Sequence, residues 1–315
     1  MPWWTSLPVT KNSGAVLIPV WRDLPNCGIA SPIHFEQDKA STAFDLGPQV
    51  VAPSRNTTDM KMKIALVQMD IAPGEPLTNL SRMEEFVAQA KKKGADLVVF
   101  PEDAVCGPLG GQTAFVQHAP AYLQRMQALA VAHAVDLVPG TWTVAEHGVL
   151  YNQAHYIAAD GTLLGAYRKI NLWETEKLSI APGTVPIVIN TRFGRVGMTI
   201  CWDISFPLLF TAMNAQGVQL VISPTYWSFP DGVEKKKEVE EEITLIDSLC
   251  ITRAFENNIV FAYCNAAGTL GEGDSKTILS GRSQITHPND KHIARCEGNK
   301  EELLISEVDV PVQLA

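Results

Sequence analysis

Arg195-Val196-Gly197-Met198-Thr199-Ile200-Cys201-Trp202-Asp203-Ile204-Ser205-Phe206-Pro207 carries the chain out of a strand and into a helix. Residues 195–200 read as a short buried strand. Residues 208–216 read as an apolar helix that Gly217 ends. A thiol at that turn is expected to stand exposed at a sheet edge, beside free backbone N–H groups and a helix N-terminus. Such surroundings favour the thiolate and can hold an oxyanion, so Cys201 is the candidate nucleophile. A buried packing role is the commoner fate of a lone cysteine, and the case for Cys201 therefore rests on what accompanies it.

Outward from this turn, strands alternate with helices. On its N-terminal side a strand is expected at residues 63–69, then a helix with Leu80, Met83, Val87 and Ala90 on one face that closes at Gly94. A strand at 96–100 delivers Glu102 at its carboxyl end, and a helix presenting Tyr122, Met126, Leu129 and His133 leads to a strand at 136–138. A hairpin follows, with strands at 152–158 and 163–167 about a turn at Asp160-Gly161. On the C-terminal side come a strand at 220–222 and a long helix bearing Val239, Ile243, Ile246, Cys250 and Arg253 on one face. Strands at 259–264, 282–286 and 303–308 close the chain. Val- and Ile-rich strands alternating with helices specify an α/β architecture with buried sheets.

Residues 1–62 differ in texture. They are rich in proline, which breaks both helix and sheet, yet they carry Trp3, Trp4, Trp21 and Phe35. They read as an N-terminal extension without assigned role, either upstream of a translation start near Met60 or an arm that packs on the surface or on a partner subunit. Residues 63–315 form the main domain.

The net charge of −9 argues against a nucleic-acid partner, since phosphate binding needs clustered Lys and Arg. The dense charge run at 234–242 mixes both signs and reads as a solvated helix face. No apolar stretch is long enough to span a bilayer, and the N-terminus lacks the pattern of a secretory signal. The six cysteines show neither a C-x-x-C pair nor short even spacing, and the histidines lack ligand spacing. Neither disulfides nor a metal is expected, and a reducing, cytoplasmic setting is.

Two further segments supply what a nucleophilic thiol needs. Glu102, after Val99-Phe100-Pro101, is a carboxylate at an apolar sheet edge, where a raised pKa suits proton transfer near neutrality. Lys169, in Tyr167-Arg168-Lys169-Ile170-Asn171-Leu172, closes a strand and can offer an ammonium to an oxyanion beside the backbone N–H of Trp202. Cys106 is a rival thiol, but Gly107-Pro108 gives it no helix N-terminus; Cys250 and Cys264 read as core.

Taken together these frames resemble the carbon–nitrogen hydrolase (nitrilase/amidase) superfamily. Phe100-Pro101-Glu102 is similar to its F-P-E, and Tyr151-Asn152, Asp160-Gly161 and the segment 167–172 to its Y-N, D-G and Y-R-K-I-H-L. Residues 197–207 resemble G-x-x-I-C-x-D-x-x-F-P, Pro182-Gly183 resembles the P-G after the lysine, and 253–257 with Asn265 and Gly268 resemble R-A-x-E-N…N-x-x-G. The likeness runs over about residues 63 to 312. It implies a four-layer αββα sandwich with a Glu102–Lys169–Cys201 triad at one edge between two sheets, no cofactor, and a homo-oligomer, dimer or larger. It further implies a supporting glutamate, for which Glu176 fits better than Glu174.

The implied reaction is cleavage of a small amide through a cysteine thioester, releasing ammonia or an amine. Nitrile or N-carbamoyl amide hydrolysis, acyl transfer, and a non-catalytic scaffold are the alternatives. Relatives that bind a substrate carboxylate carry an arginine where this chain has Ser205, which speaks against such a substrate. Trp173, Tyr226 and Trp227, with Trp202, are candidate cleft residues that suit an apolar or aromatic acyl group.

Overall fold

The computed structural model describes residues 60–108, 112–229, 236–271 and 276–311. The extension expected over residues 1–62 lies outside them apart from its last three residues, which begin the first strand. The charge run at 234–242 is described from residue 236 onward.

One sheet has seven strands: β1 (Met60–Gln68), β2 (Leu97–Val99), β3 (Asp136–Val138), β4 (Thr141–Glu146), β5 (Val149–Ile157), β6 (Leu163–Arg168) and β15 (Glu302–Val310). Their order is β15-β1-β2-β3-β5-β4, with β6 also paired to β5. β1, β2 and β3 are parallel; β15 and the β4–β5–β6 group run antiparallel to their neighbours. The second sheet has six strands in the order β14-β13-β10-β9-β8-β7. These are β7 (Val188–Thr191), β8 (Gly194–Met198), β9 (Leu220–Thr225), β10 (Val260–Asn265), β13 (Gln284–His287) and β14 (Lys291–Arg295). Its central strands β8, β9 and β10 are again parallel. A short pair, β11 (Thr269–Leu270) with β12 (Thr277–Ile278), stands apart.

Helices α1 (Pro76–Lys92) and α2 (Ala119–His133) cover the first sheet. α3 (Pro207–Asn214) and α4 (Lys236–Asn257) lie with the second sheet. Side-chain alternation shows how the layers stack. In β1, Ile64 and Leu66 join the large core cluster that includes Met198, Val221 and Phe261 of the second sheet. Ala65 and Val67, facing the other way, pack with Met83 and Val87 of α1 and Met126 of α2. β9 and β10 are buried along their whole length, as strands covered on both faces must be. The result is the expected helix–sheet–sheet–helix sandwich.

The strands and helices legible in the sequence are present with shifted ends: the strand expected at 63–69 begins at Met60, and the helix expected at 208–216 spans Pro207–Asn214. β4, β7 and β14 were not expected. They are the outer strands of their sheets, short or polar on one side, and so carry little of the apolar signal that marks a central strand.

Candidate active site

Both parallel cores point their carboxyl ends to the same edge of the sandwich, where open α/β sheets place ligands. Glu102 follows β2, Lys169 follows β6, Cys201 follows β8 and Tyr226 follows β9. A backbone bond joins the sheets there: the Glu102 N–H donates to the Thr225 carbonyl at 3.2 Å. The next residue, Tyr226, donates its N–H to the Cys201 sulfur. Two consecutive residues of β9 and its exit thus hold the acid and the thiol in register.

Lys169 is 2% exposed and Glu102 3%. The Lys169 ammonium donates to Glu102 Oε1 at 2.8 Å and reaches Glu176 Oε2 at 2.6 Å. Asn152 Nδ2 donates to both carboxylates, at 2.8 Å to Glu102 Oε1 and 3.0 Å to Glu176 Oε1. The Trp173 N–H fixes the other oxygen of Glu176 at 2.8 Å. Burial pushes Glu102 above the usual carboxylate range; Lys169 opposes this and Glu176 adds to it. Burial alone would lower Lys169, but the charges of Glu102 and Glu176 prevail, and the ammonium stays protonated well beyond its ordinary range. An ammonium has three donors, and carboxylates hold two of them.

Cys201 hydrogen-bonds Glu102. The expectation of an exposed thiol poised as thiolate is overturned. Cys201 is 9% exposed, and burial together with the negative Glu102 raises its thiol well above the ordinary value, more than Lys169 and the Tyr226 N–H lower it. The candidate nucleophile rests as a neutral thiol, already bonded to the candidate base. What the turn contributes is shape: Cys201 has φ +46°, left-handed for a residue with a Cβ, as at other sharp strand-to-helix corners bearing nucleophiles. It opens a 3₁₀ turn, Cys201–Ser205, ahead of α3. The Trp202 N–H is a first-turn amide, without an acceptor inside the turn.

The corner is fastened to the lysine loop by Asp203, which sequence reasoning did not place in the site. Its fully buried carboxylate accepts from the Ile200 N–H at 3.0 Å, the Tyr167 hydroxyl at 2.7 Å, the Asn171 N–H at 2.8 Å and Asn171 Nδ2 at 2.9 Å. Arg253 of α4 donates to the Ile204 carbonyl at 2.8 Å from below. Gly183 donates its N–H to the Lys169 carbonyl at 2.8 Å, and a Cβ there would overlap the Arg168 carbonyl oxygen. That close approach explains the Pro182-Gly183 pair. Asn152 was also missed as a site residue, though its Tyr151-Asn152 frame was legible; nothing in its spacing says that its amide bridges two carboxylates.

Trp202 is the hub of an aromatic cluster, with ring centroids 4.7 Å from Trp173 and 5.5 Å from Trp227. Trp173 is 47% exposed and stands at the rim, whereas Trp227 is buried and donates from its indole N–H to Glu242 at 2.7 Å. Glu242 thus departs from the solvated face expected for its charge run. Asn265 clamps the Trp227 backbone on both sides, accepting its N–H at 2.8 Å and donating to its carbonyl at 3.1 Å. The rival Cys106 is buried against the Tyr122 hydroxyl at 3.9 Å, and burial pushes it up to about 11. Among the described residues no group of three or more His, Cys, Asp or Glu side chains converges as metal ligands would, and no helix is long and apolar enough to cross a membrane.

Comparison with known proteins identifies the family. Residues 63–313 match the family model described as carbon–nitrogen hydrolase. A probable nitrilase of Schizosaccharomyces pombe is 29% identical over 259 residues, covering 80% of this chain and 90% of the relative. A 2-oxoglutaramate amidase of Bacillus subtilis is 26% identical over 256 residues, covering 80% of this chain and 92% of the relative. Among solved structures, an amidase of Nesterenkonia sp. AN1 is 26% identical with a TM-score of 0.67 over 79% of this chain and 90% of its own. That structure is of a glutamate-to-glutamine mutant bearing the acetamide moiety of fluoroacetamide covalently on its active-site cysteine.

Proposed function

This chain belongs to the carbon–nitrogen hydrolase family, and on that premise we infer that it hydrolyses small amides through a thioester on Cys201. The observation that carries the reading is the buried Glu102 carboxylate, bonded at once to the Lys169 ammonium at 2.8 Å and to the Cys201 thiol. Glu102 accepts the thiol proton as sulfur attacks the amide carbon. The oxyanion is received by the remaining donor of Lys169 and the Trp202 N–H. Glu102 returns the proton to the departing amine, and the thioester forms as the carbon–nitrogen bond breaks. A water that gives its proton to Glu102 then attacks the thioester, the acid leaves, and the proton returns to sulfur. Glu176 and Asn152 hold Lys169 in place. Every proton is accounted for by these groups, so no cofactor is needed.

The covalent adduct on the Nesterenkonia enzyme and the amidase named among the relatives support amides as the substrate class. Nitrile hydrolysis on the same triad is the second reading, favoured by the name of the Schizosaccharomyces pombe relative, a probable nitrilase. A working thiol suits a reducing compartment. The exposed Phe206 and Leu208 at the start of α3 suit assembly with a second copy.

The test is intact-protein mass spectrometry and ammonia release with a panel of simple amides and nitriles, wild type beside Cys201→Ala. An acyl adduct and ammonia from wild type alone are expected. Equal turnover by both proteins would refute the mechanism, and hydroxamate without free acid in the presence of hydroxylamine would replace hydrolysis with acyl transfer.

A further inference from the structure

Besides Asn152 Oδ1 and the Tyr263 hydroxyl, two buried polar atoms near the triad have no partners. One is Asp103 Oδ1; its residue is 6% exposed and follows Glu102 directly. The other is the Tyr226 hydroxyl. A buried polar atom without a hydrogen bond costs about 1–3 kcal/mol, so two at one place ask for a reason. Their backbones flank one of the bonds between the sheets, Glu102 N–H to Thr225 carbonyl, one residue on either strand exit. Asp103 comes from the first sheet and Tyr226 from the second, and the charge of Glu102 acts on both. Asp103 is held in a left-handed conformation (φ +57°), with its N–H donating to Thr141 Oγ1 at 3.0 Å and its carbonyl accepting from Gly107 at 2.7 Å. Its carboxyl also bonds Thr141, which leaves Oδ1 as the acceptor still open.

The charges nearby decide what could bind. The strongest charged neighbours of Asp103 are Glu102 and Glu176, and those of Tyr226 are Asp103 and Asp70. Lys169, the cation in this setting, is already shared between two carboxylates. An anionic group would enter beside Glu102 and Glu176, with two of the three Lys169 donors already taken by those carboxylates. A group that donates a hydrogen bond would find an acceptor in Asp103 Oδ1 and a second partner in the Tyr226 oxygen.

We propose that Asp103 and Tyr226 form a polar clamp for the acyl part of the substrate, selecting amides whose acyl chain carries a hydrogen-bond donor, a hydroxyl or an ammonium, and rejecting those that carry a carboxylate. The proposal rests on the amide-hydrolase reading and specifies it. Asp103 is a specificity residue here, taking no proton from the reacting atoms. Trp173 and Trp202 remain available for the apolar body of the same acyl chain.

The test compares kcat/KM for ω-hydroxy amides of three to five carbons, each beside its methyl isostere, with succinamate as the carboxylate analogue. Wild type should prefer the hydroxyl over the methyl at its best length by about tenfold, as a site built to bond a hydroxyl does. Succinamate should be the poorest of the set. Asp103→Leu should cut the hydroxyl-to-methyl ratio by about tenfold, chiefly through KM, and Tyr226→Phe should cut it less. Asp103→Asn, which keeps an acceptor oxygen, should restore part of the ratio. An unchanged ratio in Asp103→Leu, whatever its overall activity, would reduce Asp103 to a structural residue and overturn the clamp. So would a wild type that hydrolyses the methyl amides but shows no preference at any length, with the amidase reading left standing. Ammonia from none of the compounds would sink that reading and the clamp with it.

Discussion

The seven-stranded sheet and the six-stranded sheet bring unlike chemistry to the same edge. From the first come Glu102, Asn152 and Lys169, a charged set already tied together by bonds of 2.8 Å. From the second come Cys201, the Tyr226 N–H and the Thr225 carbonyl, all uncharged at rest. The charged set is self-sufficient: a cation between two carboxylates satisfies itself and would do so without any thiol nearby. The thiol is not self-sufficient. Burial keeps it neutral, and in the proposed mechanism it becomes a nucleophile only because the other sheet presents a base to it. The difference teaches that electrostatic preorganisation and nucleophile geometry are solved separately, each on its own rigid sheet, and joined by a few cross-sheet contacts.

Removing the cation should break the comparison most severely. Lys169→Met leaves Glu102 and Glu176 buried with no counter-ion, a loss of about 3–5 kcal/mol by the behaviour of broken buried pairs. Both carboxylates are then driven to stay protonated. A carboxylate whose folded pKa is raised above its unfolded value favours folding at low pH, and that advantage is lost as pH rises through the folded pKa. The variant should therefore lose more stability relative to wild type at pH 8 than at pH 5, read by denaturant unfolding at both. Equal losses would mean that the two carboxylates do not depend on Lys169.

A milder probe is Glu176→Gln, which keeps the size and one acceptor but removes a charge that raises Glu102. Glu102 should then ionise more easily, and the acid limb of kcat/KM should move to lower pH. kcat should fall by about tenfold to a hundredfold, because Lys169 loses the partner that positions it. A fall in kcat with an unmoved acid limb would show that Glu176 positions Lys169 without setting the base.

The smallest effect tests the other sheet. The left-handed φ of Cys201 is free for glycine and costs a side chain about 1 kcal/mol. Both Cys201→Ala and Cys201→Gly should be inactive, but the glycine variant should melt higher by about 2–4 °C. Identical melting temperatures would show that the corner is not strained and that the thiol is held by packing alone.

Much of this was legible before any coordinates. The apolar strands ending at Phe100 and Ile200 carry strong local signals, since a strand buried on both faces has little choice of residue. Glu102, Lys169 and Cys201 each sit in a frame of recognisable neighbours. Glu176 was preferable to Glu174 by its place before Pro182-Gly183, and the Lys169 contact at 2.6 Å lies with Glu176. Asp103 and Asn152 were not legible. A carboxylate after Glu102 reads as a loop residue until its burial is known, and an asparagine on a strand gives no sign of what its amide reaches. Asp203 lies inside the quoted turn, yet its four bonds run to Ile200, Tyr167 and Asn171, the last two in a segment far along the chain.

The sequence by itself determined the order of most strands and helices, the two turns that end in Glu102 and Cys201, and the candidates for the reacting groups. Period and punctuation are local properties, set by side-chain size and backbone freedom within a few residues. Only the tertiary structure decided the protonation of the thiol, the sharing of Lys169 between two carboxylates, and the burial of Asp103 beside Glu102. Those depend on burial and on charges brought together from distant parts of the chain, and the energy of a charge is fixed by its surroundings more than by its neighbours in sequence.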